Sequence, residues 1–440
     1  RRVPQTPATK SAVIMDIKLA YGRNGLNISL PDDRTTVIEP GYVPGLPDQE
    51  GALRTAIRDP VGSKPLRQLV SADQTVAISV CDITRPMPSN LVLPIVLGEL
   101  AHVPSDQITI LIATGTHRGN TDDELAQMLG QDVVSNYNII NHDAFDPSNL
   151  VLRGHTSDGI PIWLNRHWAE ADIGITTGFV EPHFFAGFSG GPKMVAPGLA
   201  GFETIMPLHN SDMIGHPKAI WGIMEGNPIH DAIREISEIT GVDFAVEVTI
   251  NREHRITSAY AGNPKSVHRA ATRFARTMAM QPVDEPFDTV VTTNSGYPLD
   301  LNLYQAVKGM SAAAQVVKHG GTIICAAECS DGVPEHGRYN EILSSATAPS
   351  ELLKMICAEG YDRHDQWQVQ IQAQIQLTAD VQLKSEYLTH QQIRAAHLTP
   401  VDNVEAAVES AIQRHGPQSR ICVLPEGPQT IPYLRKGQER

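Results

Sequence analysis

The 440-residue sequence is short of several things, and each shortage closes off a class of protein. It has 5 cysteines, scattered, with no Cys-x-x-Cys pair. That excludes a disulfide framework and leaves a reducing cytoplasm as the expected compartment. Basic residues are scarce: 35 Lys and Arg stand against 49 Asp and Glu, for a formal charge of −14. Nucleic acid needs a basic face, so no nucleic-acid partner is expected. An anionic small molecule would need a local cluster of cations. No apolar run reaches the ~18 residues that suggest a membrane span, so no membrane partner is expected. The first ten residues carry charge with no apolar segment behind them, so no secretory signal is expected. There is no internal repeat and no low-complexity segment.

What the sequence does have is length for two or three domains, with 34 Gly and 31 Pro to make tight loops. Short apolar runs alternate with helical patterns, the mark of βα units and a mainly parallel, Rossmann-like sheet. Strands are expected over 75–80, 108–113, 171–177, 245–250, 288–293, 321–326 and 420–424. Helices are expected over 91–100 with Pro94 in the first turn, after the cap Thr121, and from about Asn302. Another opens at Asn227-Pro228, carries Ile229, Ile233, Ile236 and Ile239 on one stripe, and stops at Gly241. The stretch 281–287 holds Pro282, Asp284, Glu285 and Pro286 and reads as a linker. The fold class is therefore α/β, with two domains. The expected domains are 1–280 and 287–427, the tail 428–440 packing back on the first.

Four strands run into polar, glycine-rich loops with reactive side chains: Asp82 and Arg85, His117, His183 with Lys193, and Glu328 with Asp331. Ligands of open α/β sheets bind beyond the carboxyl ends of strands, so distant loops can meet at one rim. Asp82 and Arg85, three apart, are either a fork for a carboxylate substrate or a local ion pair capping the next helix. His117, in Thr-Gly-Thr-His, is either a general base or a loop histidine bonded to backbone. His183, between Pro182 and two phenylalanines, is either a neutral functional imidazole or a core histidine. Gln305 and Lys308 share one helix face, where Lys308 is either a second substrate cation or a solvated lysine.

The densest motif is Glu181-Pro-His183-Phe-Phe-Ala-Gly187-Phe-Ser-Gly190-Gly191-Pro192-Lys193. Its glycines allow a backbone to approach a ligand closely. It is not a phosphate loop: Pro192 stands where the second Walker glycine would be, and Met194 where Ser or Thr would be. His209 follows Lys193 by sixteen positions. One histidine is too few for a protein-only metal site but suffices where an organic cofactor supplies the other donors.

Taken in order, Asp-x-x-Arg-Pro, Thr-Gly-Thr-His, Glu-Pro-His, Gly-Gly-x-Lys, His209 and Gln-x-x-Lys-Gly-Met cover most of the chain. This set resembles the nickel-pincer-dependent lactate racemase family. The resemblance implies a racemase or epimerase that inverts C2 of a lactate-like 2-hydroxy acid. It implies hydride transfer to a covalently tethered nickel-pincer nucleotide (the pyridinium-3,5-bisthiocarboxylic acid mononucleotide nickel cofactor), through a 2-keto acid. The resemblance implies a cofactor cleft between the two domains, where Lys193 would carry the cofactor, with Gly190, Gly191 and Trp367 around it, and His209 would ligate the nickel. His117 and His183 would be the acid/base pair. Arg85, Gln305 and Lys308 would hold the substrate, Asp82 orienting Arg85. Cofactor-synthesis enzymes would be the protein partners. One departure is Pro192, where the family motif has arginine. Two other classes stay open at this point. A zinc hydrolase would be favoured by a third clustered ligand. A non-catalytic cofactor carrier would need only Lys193 and His209.

Overall fold

The computed structural model describes residues 13–334 and 337–435. The chain forms two compact units, one of Gly41–Met280 and one that joins the residues up to Pro40 to those from Gln281 onward. Among the described residues no helix is long and apolar enough to cross a membrane. None of the five cysteines is paired.

The Gly41–Met280 unit is built on six strands in the order Ile256–Gly262, Phe244–Ile250, Ile173–Phe179, Val76–Cys81, Ile108–Ala113 and Asn138–Asn141. All pair in parallel except the edge strand Ile256–Gly262. Val76–Cys81 and Ile173–Phe179 are buried along their whole lengths. Both faces of the sheet are covered, so these strands read as continuous apolar or small residues rather than alternating ones. The helix Pro228–Thr240 starts where Asn227 accepts from the backbone N–H of Ile229 and His230, and ends at Gly241. Ile229, Ile233 and Ile236 are buried as the stripe requires, while Ile239 is exposed. The helix Ser89–Glu99 starts two residues earlier than its periodicity suggests, right behind Pro88, and Pro94 lies inside it.

The other unit has six parallel strands, ordered Thr399–Val401, Asp380–Lys384, Val317–Ala326, Phe287–Thr293, Ile421–Leu424 and Thr35–Val37. Here the structure departs from the expected domain boundaries. The segment 14–37 belongs with the C-terminal unit, not with the residues that follow it. Thr35–Val37 completes the edge of the sheet beside Ile421–Leu424. The antiparallel hairpin Ile14–Leu19/Leu26–Pro31 buries Ile17, Leu19, Ile28 and Leu30 on one face, in a cluster with Val404, Val408 and Val423. Its opposite face carries exposed Lys18, Asn27 and Ser29. A lone two-stranded hairpin is marginal in water, so this apolar face needs a partner, and the C-terminal helix and strand supply it. The tail strand Ile431–Leu434 is likewise part of this unit, against the helix Leu303–Ala314. The expected linker opens with a short strand, Met280–Val283.

Candidate active site

In the Gly41–Met280 sheet, strand order reverses between Val76–Cys81 and Ile173–Phe179. The loops after these two strands therefore diverge and leave a crevice at the carboxyl edge. The loop after Val76–Cys81 begins with Asp82. The loop after Ile173–Phe179 is the glycine-rich motif. His117 follows the neighbouring strand, Ile108–Ala113.

Asp82 is buried. Its Oδ2 accepts a 2.7 Å hydrogen bond from His117 Nδ1, and its Oδ1 accepts one of 2.7 Å from the Thr84 hydroxyl. Its carboxylate hydrogen bonds thus go to His117 and Thr84, and Arg85, which is exposed, adds a nearby positive charge. Asp82 thus fixes His117 by its carboxylate, and its backbone carbonyl accepts from the Arg85 N–H at 3.1 Å. Burial pushes the Asp82 carboxyl up. The His117 hydrogen bond, the positive charges of His117 and Arg85 and the Thr84 hydroxyl outweigh it and hold the group below its ordinary value. A carboxylate only accepts, so His117 carries a proton on Nδ1 and, when neutral, a lone pair on Nε2. The His117 side chain is 46% exposed, so the imidazole can meet a ligand.

The glycine-rich motif folds into a two-residue hairpin, Pro182–His183 against Gly187–Phe188, then a turn, then the 3-10 segment Gly191–Met194. His183 Nδ1 accepts from the backbone N–H of Phe185 and Ala186, at 3.5 and 3.2 Å. Its Nε2 lies 3.3 Å from Lys193 Nζ, and a charged lysine amine only donates, so it can hydrogen-bond only to a lone pair on Nε2. The loop is tied to the central strand by Ser79, whose hydroxyl donates to Met194 O at 2.7 Å.

Phe185 is the hub of this region. Its ring stands edge-on to His183, with centroids 4.5 Å apart, and edge-on to His209, at 5.3 Å. Lys193 Nζ lies 5.6 Å from the same ring. His209 is buried at the end of the helix Phe202–Leu208, and its Nδ1 donates to Ile205 O at 2.8 Å. A carbonyl cannot donate, so the neutral ring directs a lone pair from Nε2, as a metal ligand must. Gly190 and Gly191 have φ of 72° and 52°. A Cβ on Gly191 would lie 2.4 Å from Nδ1 of His268, so only glycine fits. Among the described residues no three His, Cys, Asp or Glu side chains gather to hold a metal ion. Two imidazoles, His183 and His209, and the Lys193 amine thus surround one aromatic ring. This set fits a metal whose remaining donors come from an organic group attached through Lys193.

Gln305 and Lys308 lie in the other unit, on the helix Leu303–Ala314, both half-buried on one face while Ala306, Val307 and Met310 pack inward. Asn302 caps this helix at the N–H of Gln305. Trp367 is buried beside it, its indole N–H donating to the Tyr304 hydroxyl at 3.2 Å. Tyr304, next to Gln305, escaped the sequence reading. So did Glu247, His268 and His230, which sit behind the Lys193 turn. The available signal was a lone carboxylate inside the apolar strand Phe244–Ile250.

Fold and site define a two-unit α/β protein with a histidine–carboxylate pair and a lysine-bearing glycine turn at a topological switch point. Residues 21–222 match the lactate racemase N-terminal domain, and residues 283–431 match the lactate racemase C-terminal domain. The lactate racemase of Thermoanaerobacterium thermosaccharolyticum is 35% identical over 94% of this chain and 99% of its own. That of Lactiplantibacillus plantarum is 36% identical over 87% of this chain and 90% of its own. The apoprotein structure of the Thermoanaerobacterium thermosaccharolyticum lactate racemase aligns with a TM-score of 0.89 at 33% identity, covering 96% of this chain and 100% of that one. A Thermotoga maritima crystal structure, 20% identical, shares the fold with a TM-score of 0.68 over 90% of this chain and 100% of its own. The chain belongs to the lactate racemase family, and is by that membership a racemase-type isomerase.

His230 gives this region a pH dependence. Burial, then the positive charges of His268, Arg234 and Lys193, hold its imidazole down to about 3 against a backbone bond to Ala186. The unfolded chain takes up a proton on His230 near its ordinary value of 6.5, whereas the folded chain does not until about 3. This contribution to stability is complete above 6.5 and is lost as pH falls from there toward 3. Urea unfolding of the parent and His230→Gln at pH 7, 5 and 4 should show the parent losing stability more steeply. Equal slopes would contradict this.

Proposed function

We propose that this chain inverts C2 of a small 2-hydroxy acid, lactate or a close relative, using a nickel-pincer nucleotide tethered to Lys193. The observation that carries the reading is two imidazoles at one sheet edge, each held through Nδ1. The Asp82 carboxylate holds His117 and leaves it a lone pair at Nε2, and backbone N–H groups hold His183. Moving a proton off a hydroxyl on one side and onto an oxygen on the other uses both. The C2 hydrogen beside an ionised carboxylate is poorly acidic, so proton abstraction there is unfavourable. When bound, the nickel group supplies a hydride acceptor for that hydrogen.

The chain's own residues do the rest. His117 takes the hydroxyl proton at Nε2, its ring held by Asp82 through Nδ1 and the imidazolium stabilised by that carboxylate. His183 serves the substrate oxygen from Nε2; for the opposite enantiomer the resemblance exchanges the two duties. Arg85 holds the substrate carboxylate, and Gln305 and Lys308 are assigned to the same task by their match to the family motif. Phe184 and Phe185 are buried against His183 and exclude water from its ring. His209 Nε2 would ligate the nickel, and Trp367 would pack on the cofactor. The Asp82–His117 pair supports catalysis over simple carriage, because a carrier needs neither.

Protein produced together with the cofactor-synthesis enzymes should show a mass adduct on Lys193 and about one nickel per chain. Lys193→Ala should lose the adduct and most of the metal; a full adduct in that variant would remove Lys193 from its role.

His117→Ala and His183→Ala should each slow racemisation in both directions by roughly 10²–10⁴-fold, the usual loss when general acid–base help is removed. Steady-state rates from each pure enantiomer read this. A His183→Ala variant that racemises at the parent rate would make His183 structural.

A further inference from the structure

Behind the Lys193 turn lies a buried polar cluster that the reaction does not use. Glu247, on the strand Phe244–Ile250, is in register with Gly178 of the strand Ile173–Phe179. Its side chain is 1% exposed, and its Oε2 lies 3.0 Å from Nδ1 of His268, itself 7% exposed, on the helix Pro264–Ala279. The ring of His230 stacks on His268, with centroids 5.9 Å apart and 14° between planes. Glu247 Oε1, His268 Nε2 and His230 Nδ1 have no hydrogen-bond partner among the described residues.

This arrangement is a poor way to add stability. Burying a carboxylate and an imidazole costs desolvation that their mutual attraction repays only with complete hydrogen bonding, and apolar replacements of similar size are often no less stable. The orphaned atoms add to that cost. What the pair does is fix a wall. The carboxylate holds the His268 ring by Nδ1, and the Nδ1, Cγ and Cε1 edge of that ring faces Gly191: a Cβ there would lie 2.4, 2.5 and 2.8 Å from the three atoms. On the other side, Gly178 leaves room for Gly190, whose Cα would be 3.4 Å from a Cβ at 178. The two left-handed residues just before Pro192-Lys193 are thus pinned between a strand and an imidazole.

We propose that Glu247 and His268 are positioning residues for Lys193, acting through Gly191 to set where its amine points. This rests on the reading of Lys193 as the functional amine, but its test needs no cofactor. The cofactor-free chain is treated with an amine-acylating reagent, and peptide mass spectrometry gives the ratio of labelling rates at Lys193 and at exposed Lys218. Glu247→Leu/His268→Leu removes both buried groups together, so neither is left as an unpaired charge. His268→Asn keeps a side-chain N–H near the position of Nδ1. The double variant should unfold within a few degrees of the parent, yet shift the labelling ratio at least fivefold. His268→Asn should stay within twofold of the parent. Should the double variant fail to fold, Gly191→Ala tests the same contact from the loop side and should shift the ratio equally. A folded double variant, or in its place a folded Gly191→Ala, with a ratio within twofold of the parent overturns the proposal. Loss of the Lys193 adduct reading would leave this ratio unaffected, so the two can fail separately.

Discussion

The candidate site depends on the packing of a left-handed glycine turn against a buried imidazole. Gly190 and Gly191 turn the chain back under the hairpin that carries His183, and this places Lys193 Nζ 3.3 Å from His183 Nε2. A side chain at Gly191 has no room, because His268 fills the space. With the turn in place, Phe185 gathers His183, His209 and Lys193 around one ring. The chemistry proposed for these residues follows from which ring nitrogens are already taken. Carboxylate and carbonyl oxygens fix Nδ1–H on His117 and His209, and backbone N–H groups occupy Nδ1 of His183.

The scaffold gives these contacts a rigid base. The central strands are buried on both faces, and the switch in strand order opens the crevice where their loops end. Ser79, in the middle of Val76–Cys81, reaches across to Met194 O and ties the lysine loop to the strand that also carries Asp82. A small residue in an otherwise apolar strand thus links the two halves of the site within this unit.

Much of this was legible in the sequence, because it depends on local patterns. Ile108–Ala113 runs over the expected residues, and the Thr121 cap, read from three following acids, forms a capping box with Glu124. Asn227-Pro228 and Gly241 bound their helix as capping chemistry requires. What escaped was non-local. The hairpin 14–31 has a clear apolar face, but nothing local says that Val404 and Val408, nearly four hundred positions on, will cover it. Asp82 and Arg85 looked like a pair from their spacing, whereas the nearer partner of Asp82 comes from the next strand, thirty-five positions away. Glu247 and His268 are twenty-one apart and meet only because helix packs on sheet. Sequence spacing sees neighbours on one helix or strand; it does not see which loops a parallel sheet brings to one edge.

The central claim is that C2 is inverted without its hydrogen passing to water, while His117 and His183 handle the oxygen-bound proton. The most direct measurement uses C2-deuterated lactate of one configuration, cofactor-loaded protein and ordinary water, with the deuterium content of the inverted product read by mass spectrometry. The account predicts that the inverted product keeps its deuterium. Inverted lactate carrying hydrogen from water at C2, formed at the rate of inversion, would contradict it.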